Sequence, residues 1–244
     1  MQKHIMNRAK TLEFLDGLAA APSGDAIAIY LPPGLSREEI GSILKVLPVS
    51  AEIMEQLVGT AIESRTGTVI FRNSDKLFLV QPPFPVSERY IAQSLDTDKL
   101  RLMIARDYVI ALVLVRLGSY AVGVARGEKL ITSKVGTGLV HGRHRQGGSS
   151  SHRFERHRDK QIETFLNRVD GHVKEQIGPY VKSLDYIVYG GARDTIQLMK
   201  KYCPLLMRLE TPVLPPLLDI PDPRLPVLES AVGRVWSSTV IDLV

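Results

Sequence analysis

Tyr108-Val109-Ile110-Ala111-Leu112-Val113-Leu114-Val115-Arg116 is the stretch that decides the fold. It is too short to cross a bilayer, which takes about 20 apolar residues, and it ends on an arginine. A strand wetted on one face would alternate apolar and polar residues. This run does not alternate, so it predicts a central strand covered on both faces. Going forward, Leu117-Gly118-Ser119 is a turn and Tyr120–Ala125 a second strand. Arg126-Gly127-Glu128 turns again, and Leu130–Val135 is a third strand. Further on, Ile162, Phe165, Leu166, Val169, Val173 and Ile177 recur at spacings of three and four. They make one apolar stripe on a helix over 154–177, which Gly178-Pro179 ends. Leu184–Tyr189 reads as another buried strand, and Gly190-Gly191 as the turn into a helix from about Arg193 to Tyr202. A proline-rich stretch, Pro204 to Pro226, leads to a helix over Val227–Val235 and a final strand over Thr239–Leu243.

Going backward, residues 8–20 read as a helix and Ala26–Leu31 as a strand stopped by Pro32-Pro33-Gly34. Ser36 with Glu39 forms a capping box for a helix to about Leu47. A second helix is expected over Ala51–Ser64. Thr68–Arg72 and Lys76–Val80, joined by Asn73-Ser74-Asp75, read as a hairpin. Gln81-Pro82-Pro83-Phe84-Pro85 is an extended connection. The fold class expected is α/β, a mixed β-sheet flanked by helices, with a smaller N-terminal α/β portion at 1–100 and a main domain at 101–244.

The chain has 244 residues, 44% hydrophobic and 23% charged, an ordinary globular composition. One cysteine, Cys203, excludes an internal disulfide and any multi-cysteine zinc site. The N-terminus lacks the apolar core of a signal peptide, so a soluble cytoplasmic protein is expected. The charge is concentrated. Residues 141–160 hold Arg143, Arg145, Arg153, Arg156, Arg158 and Lys160 against Glu155 and Asp159, a net +4 in a chain whose total is +5. A pI near 9.3 built from one cluster points to nucleic acid more than to membrane.

That cluster surrounds Gln146-Gly147-Gly148-Ser149-Ser150-Ser151. Two glycines permit a sharp bend and a close backbone approach to a ligand. A flexible basic linker would have the same composition, since loops collect Gly, Ser and Arg. What argues for a surface is the continuation of charge onto the helix, where Arg153, Arg156 and Lys160 share a face. Five of the six histidines lie between His141 and His172. His141 with His144, or His152 with His157, has metal-pair spacing, but few carboxylates are near and the arginines repel a cation, so no metal is expected. The loop lacks the Gly-Lys-Ser/Thr ending of a phosphate-binding loop. No serine stands in a Gly-x-Ser-x-Gly elbow.

His144-Arg145-Gln146-Gly147-Gly148-Ser149-Ser150-Ser151-His152-Arg153-Phe154-Glu155-Arg156-His157-Arg158 resembles the central-domain loop of eukaryotic and archaeal class-1 peptide release factors. There a basic segment leads into Gly-Gly-Gln-Ser, then Arg-Phe and an arginine-rich helix. The resemblance extends to the meander Tyr108–Val135, to Leu184–Gly191 and to Ala26–Gly34. It implies a release-factor central-domain-like fold for 101–244. Two departures stand out. The family's glutamine is Ser149 here, with Gln146 before the glycines instead. The N-terminal part is shorter than a stop-codon-reading domain and has no Asn-Ile-Lys-Ser motif, and no third domain is expected to follow. The chain therefore looks more like the Vms-type release-factor-like proteins and their bacterial relatives, which act on peptidyl-tRNA left on a stalled large subunit.

The resemblance implies a peptidyl-tRNA hydrolase acting in ribosome rescue. Gly147 and Gly148 would shape the loop, with Ser149 or Gln146 near the attacking water. Arg143, His144, Arg145, Arg153, Arg156, Arg158 and Lys160 would contact RNA. Its partners would be the large ribosomal subunit, rRNA and peptidyl-tRNA, with no membrane, no cofactor and a monomeric state. The alternative is a catalytically degenerate ribosome- or tRNA-binding protein of the same fold, which Gly-Gly-Ser favours. A nuclease using His144 or His152 lacks a carboxylate partner nearby.

Overall fold

A computed structural model describes residues 2–21, 24–74, 76–142 and 151–243. The chain divides into two compact units, Met1–Arg106 with Gly233–Val244, and Asp107–Val232.

The first unit contains β1 (Gln2–Met6), α1 (Arg8–Ala19), β2 (Ala26–Leu31), α2 (Arg37–Leu44), α3 (Ala51–Glu63), β3 (Thr68–Asn73), β4 (Lys76–Gln81), β5 (Tyr90–Ala92) and α4 (Asp98–Ala105). Its sheet is antiparallel throughout and includes the last strand of the chain. On one face Ile27, Ile29, Leu31, Ile70 and Leu79 pack against Ile40, Ile43 and Leu44 of α2 and Leu57 and Val58 of α3. On the other, Ala28, Tyr30, Val69, Phe71 and Val80 meet Leu15 of α1 and Leu100 and Ile104 of α4. Cover on both faces explains why every residue of β2 is buried. The Ser36 capping box forms as read: Ser36 Oγ accepts from the Glu39 N–H, and the Ser36 N–H donates to Glu39 Oε2.

The second unit is built on β6 (Val109–Arg116), β7 (Ser119–Arg126), β8 (Lys129–Thr137) and β9 (Tyr186–Gly190), in the order β8-β7-β6-β9. The meander is antiparallel, and β6 pairs with β9 in parallel. This is the mixed sheet expected, with β6 as an interior strand buried from Val109 to Val115. Helix α5 (Ser151–Ile177) crosses one face and runs into a 3-10 turn at Gly178–Ser183. Its stripe of Ile162, Phe165, Leu166, Val169, Val173 and Ile177 is buried against Val113, Val115, Tyr120 and Val122. Helix α6 (Arg193–Tyr202) follows β9 through Gly191. There φ is +120°, and a Cβ would stand 2.0 Å from the Val115 carbonyl oxygen, so only glycine makes this turn. After α7 (Pro204–Arg208), residues 212–218 run beside β9: the Ile187 N–H donates to Pro212 O, and the Leu214 and Leu218 N–H groups donate to Ile187 O and Tyr189 O.

Helix α8 (Leu225–Val235) carries the chain to β10 (Ser238–Asp242). The sequence reading grouped this strand with 101–244. It pairs instead in the first unit's sheet, between β1 and β4. Val240 and Ile241 bury into that sheet's two opposite cores. Just before them Trp236 is fully buried, its ring 4.7 Å from Phe84 and under the Arg8 guanidinium at 4.3 Å. The expectations contained no β1, β5, α4 or α7.

Candidate nucleic-acid interface

Arg143, His144, Arg145, Gln146, Gly147, Gly148, Ser149 and Ser150 lie outside the described residues. What is described is the frame that delivers and receives this segment: the limb at 138–142, continuing from β8, and the start of α5.

The limb lies along α5 and is fixed to it at several points. The Gly138 N–H donates to Gly118 O at 2.9 Å. A Cβ on Gly138 would meet Phe165 Cδ2 at 2.7 Å, so any larger residue would lift the limb from the helix. Arg168 Nη1 donates to Thr137 O at 2.9 Å. The His141 N–H donates to Gln161 Oε1 at 3.1 Å, and His141 O accepts from Arg158 Nε at 2.9 Å. The His141 and His157 rings meet edge to face with centroids 6.4 Å apart. Backbone groups at the end of the limb are thus satisfied by side chains of the helix that follows the loop, so the limb leading into the loop is held against that helix.

Helix periodicity lines up two sets of charges near the start of α5. At about 100° per residue, Arg153, His157, Lys160, Thr164 and Arg168 fall in one axial row on the limb's side of the buried stripe. Glu155, Asp159 and Glu163 fall in another, on the far side. All of these residues are exposed. The basic row therefore adjoins the loop base, and the acidic row is turned away from it. Between the limb and the basic row is a cleft of about 320 Å³ lined by Leu139, His157, Lys160, Gln161, Thr164, Phe165 and Arg168. Leu139 is 71% exposed, a large apolar side chain at the mouth of a cationic cleft.

The predicted RNA-contacting residues divide accordingly. Arg153, Arg156 and Lys160 are exposed on α5. Arg158 is half-buried, with its Nε engaged by His141 O, so it positions the limb. Leu139, His157, Gln161 and Arg168 were not among the predicted residues, although Arg168 sits eight residues after Lys160 in the same row. The contact between limb and helix that makes these residues a site is tertiary and leaves no local mark in the sequence.

Nearby titratable groups are structural. Burial raises the Tyr120 phenol, and the Arg168 charge opposes that rise. Cys203 is buried; loss of solvation, followed by a hydrogen bond with Asp170, pushes its thiol up to about 12, which leaves it protonated and a poor nucleophile. Among the described residues no three His, Cys, Asp or Glu side chains gather in a metal-binding group. No described helix is long and apolar enough to cross a membrane.

Several known proteins are similar to this chain. Peptide chain release factor subunit 1 of Aeropyrum pernix is 23% identical over 242 residues, covering 88% of this chain and 65% of that protein. The protein of the same name from Archaeoglobus fulgidus is 31% identical over 119 residues, covering 48% of this chain and 29% of that one. The chain thus spans less than two thirds of the length of either relative. Among solved structures, the archaeal translation termination factor aRF1 aligns with a TM-score of 0.42 at 20% identity, over 94% of this chain and 70% of that one. The Vms1 mitochondrial localization core aligns with a TM-score of 0.43 at 12% identity, over 84% and 93%. The family described as the Actinobacteria/Chloroflexi VLRF1 release factor matches residues 108–241, more than half of the chain, and includes the meander, the basic loop and α5. The chain belongs to this VLRF1 release-factor family.

Proposed function

We propose that this protein associates with the ribosome and hydrolyses peptidyl-tRNA on stalled large subunits, using the Gly147-Gly148 loop. The observation that carries this reading is the frame. The limb that leads into the basic Gly-Gly loop is fastened to the helix that follows it, and the cationic row of α5 flanks that fastening while the acidic row faces away. A loop meant to enter an RNA-lined space needs such a mount, with its cations where phosphates would run.

The reaction is attack of water on the ester joining peptide to the terminal ribose. The acyl C–O bond breaks, the peptide leaves as a carboxylic acid, and the ribose oxygen regains a proton. The protein's part is to place the water and to stabilise the developing oxyanion. Residues without side chains at 147 and 148 leave backbone N–H groups free to donate in a narrow space. Ser149 stands where the resemblance puts a glutamine, so chemistry that depended on a side-chain amide would fall to Gln146. Under this proposal Arg153, Arg156, Lys160 and Arg168 contact RNA, Arg158 positions the limb, and the protein works as a cytoplasmic monomer without a cofactor.

A second reading has its own observation. Serine after the glycine pair is shorter than glutamine and lacks the amide, which favours a protein that binds the ribosome without hydrolysis. The test is peptide release from peptidyl-tRNA on isolated large subunits, comparing wild type with Gly147→Ala/Gly148→Ala. Release by wild type and a loss of about 100-fold or more in the variant, roughly 2.7 kcal/mol of barrier, supports the hydrolase. Binding without release by either supports the second reading, and absence of binding refutes both.

A further inference from the structure

We propose that the cleft between the limb and α5 holds one unpaired nucleotide of single-stranded RNA; the inference rests on the reading of this helix as an RNA-facing surface. The cleft's lining is chemically divided. Leu139 and the Phe165 ring supply an apolar wall and floor, while Lys160, Arg168 and His157 rim it. A phosphate alone would need only the rim, and an apolar peptide only the wall. A nucleotide has both a flat, weakly hydrated base and an anion, and unstacked bases are what proteins read in single-stranded RNA.

Size and hydrogen-bonding capacity agree. At about 320 Å³ the cleft is at the small end of ligand sites, room for one nucleotide and too narrow for a stem. Gln161 spends its carbonyl oxygen on the His141 N–H, which leaves its amide NH₂ as a donor for a base edge. Thr164 donates its hydroxyl proton to Lys160 O at 2.8 Å and keeps acceptor capacity. The strand also has a path beyond the cleft. Arg153, Lys160 and Arg168 recur at steps of seven and eight residues, roughly 11 and 12 Å along the axis, placing cations at the cleft and toward the loop. A base-paired strand could follow the same cations but could not place a base in the cleft.

The experiment measures binding of the full-length protein to three labelled RNAs across a salt series: a single strand ending in CCA-3′, a single strand with no CCA end, and a hairpin of matched charge. Leu139→Asn removes the apolar wall without altering charge, and its exposed position spares the fold; Leu139→Ala is the second variant, and circular dichroism checks both. The proposal expects about fivefold or more loss on single strands, the lower end of what one base contact contributes, and less than about twofold on the hairpin. A loss confined to the CCA strand assigns the nucleotide to a tRNA end, whereas an equal loss on both strands assigns it to internal single-stranded RNA such as an rRNA loop. Lys160→Gln should weaken all three RNAs and reduce the salt slope by about one contact. If Leu139→Asn and Leu139→Ala leave single-strand binding unchanged while Lys160→Gln still weakens it, the cleft proposal fails and the RNA-facing helix survives. If wild type binds none of the RNAs in a salt-dependent way, the reading beneath it fails as well.

Discussion

In each unit a sheet is covered by helices that bury apolar stripes against it, yet the two units differ in charge. Residues 1–106 with 233–244 contain thirteen Lys and Arg against thirteen Asp and Glu, whereas residues 107–232 contain eighteen against thirteen. The whole formal charge of +5 thus belongs to one unit. A neutral unit folds on the same scheme without the excess, so the excess is not what holds the fold. On α5 the grouping is finer: Arg153, Lys160 and Arg168 line up on the limb side of the helix, and Glu155, Asp159 and Glu163 line up on the other. Packing sets where the helix lies, and charge sets what its outer surface can meet.

If that division holds, changes in packing and changes in charge must have separable effects. The largest effect is expected from Gly191→Ala. The positive φ and the 2.0 Å approach to Val115 O leave no room for a methyl group, so the second unit should lose about 3 kcal/mol or more, read by thermal or urea unfolding. A variant that melts like wild type would show that the turn after β9 can be remade. Next is Arg153→Glu with Lys160→Glu. RNA affinity at low salt should fall about tenfold or more with a flatter salt slope, while stability stays within about 0.5 kcal/mol. Equal weakening by Lys45→Glu with Arg65→Glu in the neutral unit would erase the distinction between the two units. A smaller change is Ser36→Ala, which removes the α2 cap and should cost about 1 kcal/mol without altering RNA affinity.

The mildest prediction is chemical. Because burial holds the Cys203 thiol up at about 12, the folded protein should resist alkylation at pH 8 and react only on unfolding. The sign of the linkage follows from the raised value. Folded and unfolded thiols are both protonated below the unfolded pKa of about 8.5. Above it only the unfolded thiol ionises, so this group's contribution to stability is lost as the pH climbs toward the folded value. Rapid alkylation at pH 8 without unfolding would mean that Cys203 is reachable from solvent.

Much of the fold could be read because its strands and helices carry strong local patterns. The unbroken apolar run of β6 and the three-four spacing of α5 each admit one structural solution. What escaped has weak local pattern. β1 is exposed at four of its five residues, and only pairing with β10, at the other end of the sequence, makes it a strand. β5 has three residues. α7 begins on Pro204 within a proline-rich stretch that reads as irregular. The site was half legible for the same reason. Arg153 and Lys160 announce themselves by helical spacing, but that Arg158 turns to the limb, or that Leu139 comes to face Lys160, depends on where a loop is clasped.

The return of β10 to the first sheet has a consequence for the order in which the protein is made. Residues 107–232 form an uninterrupted segment that can fold as soon as it leaves the ribosome. The sheet of the first unit cannot be completed then, because β10 is translated only after residues 107–232. Until Ser238–Asp242 arrive, β4 keeps an open edge and Gln2–Met6 has no partner. An open edge is a template for wrong pairing. The half of the chain that is translated first is therefore the half that finishes folding last.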